Sequence, residues 1–109
     1  MESWRLSEIE TPDGTRSPVV LHSDDEGRAV LIGLEPGQEL GDHQVKEYAY
    51  LHVIVGEVAI RAADEAMSAP AGTLVRFEPD ERRAVSSPGG ARILLFLAPW
   101  PGEGHYRDA

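Results

Sequence analysis

From residue 18 onward the apolar residues come in short runs, each closed by glycine, proline or a cluster of acids. PVVLH (18–22) and RAVLIGL (28–34) are rich in β-branched residues and flank the polar segment SDDEG, so together they predict a hairpin. Beyond Pro36-Gly37 a segment running to Val45 leads into YAYLHVIV, which meets Gly56-Glu57, and EVAIRA follows. A glycine turn between two alternating runs predicts the sharpest hairpin of the chain, with strands at 50–55 and 57–62. A turn at Ala63-Asp64-Glu65 and the punctuation APAG (69–72) lead to TLVRF (73–77), then RAVSS, PGG and ARILLFLA, whose strand is expected at 91–97. ILLFLA is apolar on both parities, as in a strand covered on two faces. No window of eleven or more residues carries apolar positions at a 3.6 repeat, so helix should be scarce. Many short, evenly spaced strands predict an all-β sandwich or small barrel, and the pattern alone fits jelly-roll, immunoglobulin-like and OB-like topologies equally.

Composition narrows the chemistry more than the fold. The 109 residues suit one domain, 1–109, large enough to bury a compact core. There is no cysteine, which excludes disulfides, thiolate metal sites and cysteine nucleophiles. A net charge of −9, with Arg82-Arg83 the one adjacent basic pair, opposes nucleic acid and anionic membrane surfaces as partners. Nine of the ten basic residues are arginine, a bias that suggests a GC-rich bacterial source. MESWRLSEIE lacks a basic stretch followed by an apolar run, and no run of about 18 apolar residues follows, so a soluble, cytoplasmic protein is expected. No Ser-His-Asp arrangement, phosphate-cradling loop or paired-carboxylate motif stands out.

The order Gly37, His43, Gly56, then Gly72 and Pro79, resembles the two motifs of the cupin superfamily over residues 34 to about 87. In that family Gly-x5-His-x-His-x3/4-Glu-x6-Gly is followed by Gly-x5-Pro-x-Gly-x2-His-x3-Asn, and three histidines and the glutamate hold a divalent metal. The resemblance implies a double-stranded β-helix, a jelly-roll barrel of the cupin type. Aligned here, the first motif's ligand positions fall on His43, Val45 and Ala49. The second motif's glycine becomes Asp80 or Glu81, and its histidine becomes Arg83, or Ala84 if the register slips by one. The resemblance therefore implies a barrel without the usual metal site and without a cofactor, with His43 as the one residue able to ligate.

Positions 43, 45, 49, 51, 53 and 55 share a parity and hold His, Val, Ala, Leu, Val and Val, so the inward face is expected to be apolar except at His43. The cavity candidates are His43, Val45, Glu47, Leu51, Val53 and Arg83, with Glu47 joining His43 only if the chain bends between two strands. Arg83 has two readings: a clamp for a carboxylate or phosphate, or part of a surface ion-pair cluster with Glu78, Asp80, Glu81 and Arg82. Arg76 is expected to face away from the core, and His22 and His105 to be solvated. The opposite parity, Tyr48, Tyr50, His52 and Ile54, is an aromatic-rich outer face suited to a homodimer. The tail, residues 98–109, reads as a lid, a dimer arm or a frayed end, with Trp100 and Tyr106 over an open end of the barrel. The functional expectation is a cupin that binds a small organic ligand, or serves as a sensory or accessory domain, with no chemistry of its own. The alternatives are a metal-dependent enzyme of the dioxygenase or isomerase type using His43 with unconventional ligands, and a purely structural dimerisation module.

Overall fold

A computed structural model describes residues 1–12, 14 and 18–103, and of Asp42 and His43 the backbone alone. Its elements are strands: β1 (Val19–Ser23), β2 (Arg28–Leu34), β3 (Glu39–His43), β4 (Tyr48–Ala62), β5 (Glu65–Pro70), β6 (Leu74–Phe77), β7 (Arg83–Ser86) and β8 (Ala91–Ala98). No helix among the described residues is long and apolar enough to cross a membrane. All pairings are antiparallel. A first sheet runs β1-β2-β8-β4-β6 and a second runs β5-β4-β7-β3, so β4 belongs to both and curls one into the other.

The β1–β2 hairpin forms as its sequence predicts. Asp24 Oδ1 accepts from the backbone N–H groups of Glu26 and Gly27 at 2.9 and 3.2 Å, which is the way a short acidic side chain fixes a turn.

The hairpin expected at Gly56-Glu57 does not exist. β4 passes straight through it for 15 residues, pairing with β8 and β6 before Gly56 and with β7 and β5 after it. Gly56 instead marks where the strand changes sheet, at φ 81° and just past a bulge between Val53 and Val55. The bulge breaks the parity, so Val55, expected inside, is 47% exposed. The turn that reverses the chain is Ala63-Asp64, and the strand β5 takes in Glu65, expected in the turn, and Ala69-Pro70, expected as punctuation.

The core lies between the sheets: Val30, Ile32 and Leu34 of β2, Ala49, Leu51, Val53, Val58 and Ile60 of β4, Phe77, Val85, and Ile93 and Leu97 of β8. β8 is covered on two sides only in part. Its inward side chains are packed, but outward Phe96 is 40% exposed. On that outer face the N-terminal segment covers the far end of β2 and β8. Arg92 Nη1 donates to the Leu6 carbonyl at 2.7 Å, and Leu31, on the same face, is fully buried.

Candidate functional site

The turn between β6 and β7 builds one wall of the site. Asp80 adopts φ 65°, its N–H donates to the Val45 carbonyl at 2.8 Å, and its carboxylate pairs with Lys46 Nζ at 2.9 Å, so the turn is tied to the β3–β4 connection. A left-handed backbone is what a glycine supplies most readily. Asp80 therefore holds the place of the second motif's glycine, and three residues further on the motif's histidine position is Arg83 rather than Ala84.

Arg83 opens β7, paired with Ala62 of β4 on one side and with the backbone of His43 on the other. Cross-strand partners project to the same face. Ala62 shares the parity of buried Val58 and Ile60, so Arg83 is turned into the barrel, where it is 2% exposed. Its guanidinium lies over the Phe77 ring, 4.8 Å from the centroid. Nη1 donates a long 3.5 Å bond to the Glu81 carbonyl, and buried Nη2 has no hydrogen-bond partner. Desolvation lowers the pKa of this guanidinium, with the Glu81 charge acting in the opposite sense. Arginine nevertheless remains a cation at physiological pH.

The surface ion-pair cluster foreseen for this stretch is thus corrected at its most consequential residue. Arg76–Glu78 at 2.8 Å and Lys46–Asp80 at 2.9 Å are exposed pairs, whereas Arg83 is taken inside by strand alternation with Val85. Arg76 faces out as expected, stacked over Tyr48 at 4.5 Å and donating to the Tyr50 hydroxyl at 3.4 Å.

A second correction concerns Glu47. It lies on the inward parity between Val45 and Ala49 and is fully buried, so the inward face is not apolar outside His43. Its Oε2 accepts from the Gly102 N–H at 2.7 Å, which docks the tail onto the β3–β4 connection. Trp100 packs against the core and under Arg28, 4.7 Å from the guanidinium to the ring centroid. Tyr106 and His105 lie outside the described residues, as does the side chain of His43.

Val45 is half-buried against the core, and Ala49 is fully buried opposite Phe77 and Leu97. With Arg83 these residues fill three of the positions that hold metal in the resembled motif. Two alkyl groups and a cation offer no donor to a divalent ion, so the residues present do not fit that centre. No group of three or more His, Asp or Glu among the described residues could hold a metal ion.

Leu51 and Val53 pack in the solid core. Space opens instead between β5 and β6, one edge strand from each sheet, as a cavity of about 310 Å³. Ile60, Ala62, Val75 and Phe77 form its apolar wall, and Glu65, Arg76 and Glu81 bring charge to its lining. Sequence reading missed this wall, although alternation through VAIRA and TLVRF marks Ile60, Ala62, Val75 and Phe77 as one face each. The two other described histidines stay outside. His22 Nε2 lies 2.8 Å from exposed Asp24, a hydrogen bond that raises its pKa, and His52 sits on the outer face between Leu74 and Leu94.

No protein-family model matches the sequence, and no curated protein matches it. Solved structures do resemble the fold. An RmlC-like cupin protein from Desulfovibrio desulfuricans superposes with a TM-score of 0.79 at 22% identity, covering 91% of this chain and 97% of the other. An uncharacterised conserved protein with a double-stranded β-helix domain from Klebsiella pneumoniae gives 0.77 at 17% identity, covering 94% and 93%. A cupin superfamily protein from Desulfitobacterium hafniense gives 0.77 at 15% identity over 86% of each chain. The chain is all-β and has the fold of the cupin superfamily. Within that fold it is a double-stranded β-helix whose β7 carries an arginine where the metal-binding motif carries a histidine.

Proposed function

We propose that this protein binds a small organic molecule in the opening between β5 and β6, as a binding, sensory or accessory domain with no chemistry of its own. The observation that carries the reading is the cavity of about 310 Å³, a volume suited to a small ligand, with an apolar wall made by core side chains rather than by surface loops. A concave apolar site with a few polar groups near it is the usual form of a ligand pocket, and Glu65, Arg76 and Glu81 are the charged groups of this one.

The test is a nuclear magnetic resonance screen with a mixed set of neutral and anionic fragments. Binders are expected to shift the methyl signals of Ile60 and Val75, and Ala66→Trp, which fills the cavity from β5, to abolish those shifts. Absence of shifts from every fragment overturns the reading. So does near-stoichiometric iron, manganese, nickel or zinc in protein purified without a chelating column, if that metal disappears in His43→Ala. The second result puts a metal-dependent enzyme in its place.

A further inference from the structure

We infer that the ligand of this cavity is a small organic carboxylate whose head group is held by Arg83. The inference rests on the cavity reading above and adds the chemical class of the occupant. Three observations converge on it. Arg83 is 2% exposed, and it makes none of the ion pairs seen among the described residues. Its hydrogen bonding is nearly unspent, with one 3.5 Å contact from Nη1 and nothing on Nη2. And it adjoins the cavity, because the ring it stacks on, Phe77, and the residue whose carbonyl it reaches, Glu81, both line that space.

The charges around it give the sign of the partner. Buried cations are found paired, because an isolated charge out of water is costly. Glu81 acts on Arg83 as a favourable charge but makes no ion pair with it among the described residues, its carboxylate accepting from the Glu78 N–H at 3.0 Å, and Glu47 Oε2 accepts from Gly102. Glu65 stands exposed at the start of β5. A ligand carboxylate reaching Arg83 supplies the missing counter-charge and can accept two parallel N–H bonds, a geometry matched to guanidinium. Nη2 is closed off in the present state, so engagement requires the guanidinium to turn from the Phe77 face toward the cavity. The apolar wall of Ile60, Ala62 and Val75 then takes the body of the ligand. The acids at the rim select against multiply charged anions, which leaves monocarboxylates with a compact aromatic or branched body.

Calorimetric titration of benzoate against benzamide, and of hexanoate against hexanamide, reads the proposal directly. Each pair has the same shape and differs in the charge of its head. The wild-type protein is expected to bind each acid at least tenfold more tightly than its amide, with the Phe77 ring signals shifting as the guanidinium leaves them. Arg83→Met is expected to remove that preference while keeping amide binding. Arg83→Lys, which retains the charge without the fork, should keep only part of it, and serves if Arg83→Met does not fold. Equal affinity for acid and amide in the wild type, or a preference undiminished in Arg83→Met, overturns the assignment and leaves the cavity reading standing. If neither acids nor amides bind, and the fragment screen is also silent, the cavity reading itself falls.

Discussion

A guanidinium held among apolar side chains with one nitrogen unpartnered opposes folding, and at Arg83 the size of that effect can be set against what the residue gains. An unsatisfied buried donor costs roughly 1–3 kcal/mol, while stacking on an aromatic face returns roughly 0.5–2 kcal/mol. Replacing buried charge by an apolar side chain of similar volume is commonly neutral or favourable. Arg83→Met is therefore expected to raise stability by about 1 kcal/mol, a melting temperature higher by about 4 °C for a domain of this size. Urea denaturation checks it, and a loss of about 1 kcal/mol or more shows that the arginine is a structural element instead. A gain in stability joined to a loss of carboxylate binding is the pattern expected of a residue kept for function. The residue was legible in the sequence as an arginine at a motif position, but its burial was not. Glu78, Asp80, Glu81, Arg82 and Arg83 fall within six residues and look like a solvated surface. What takes Arg83 inside is its register opposite Ala62, a pairing between strands about twenty residues apart that no local pattern encodes. Glu47 was visible by parity, but the docking of Gly102 on its Oε2 joins residues 55 apart in sequence, which no local pattern encodes.

Strands were the more readable level. Runs of apolar residues bounded by glycine and proline located β1, β2, β6 and β8 to within a residue or so, because pleat alternation and turn chemistry are local properties. The passage through Gly56 was misread because a positive φ is as much the mark of a bulge as of a hairpin turn. Two glycines distinguish these roles. A Cβ at Gly56 would lie 2.4 Å from the Gly90 carbonyl oxygen, on top of the conformational strain of φ 81°. At Gly37, φ is 83° and a Cβ would meet nothing within 4 Å. Gly37→Ala should cost about 1 kcal/mol, the strain of a left-handed L-residue alone. Gly56→Ala should cost about 3 kcal/mol, because the obstructing atom is backbone and β4 and β8 must part to admit the methyl group. Matched denaturation curves decide it, and equal losses would mean that the crossing of β4 between the sheets tolerates a looser contact than the structure shows.

At the scale of the whole molecule, burial and charge pull in opposite directions. The outer face of the first sheet presents rows in which Leu94, His52 and Leu74 are neighbours, beside Phe96, Tyr50 and Arg76. Leu74 is 64% exposed, and it lies on β6, a four-residue strand at the sheet edge. The N-terminal segment shields the opposite end of this face, at Leu31 and Arg92, and leaves the Leu74 end open. We expect a second copy of the chain to cover it, through a two-fold contact in which the same patch meets itself. Each copy carries a net charge of −9, so the two repel over distance while the apolar contact attracts only at the surface. Association should therefore tighten between about 0.05 M and about 1 M salt, where the Debye length falls to about 3 Å. Sedimentation velocity at micromolar concentration should show monomer giving way to dimer along that series. Leu74→Glu should hold the protein as a monomer throughout, since it adds one like charge per copy at the centre of the contact. A monomer at every salt concentration removes the dimer, and a dimer indifferent to both salt and Leu74→Glu places the contact on another face.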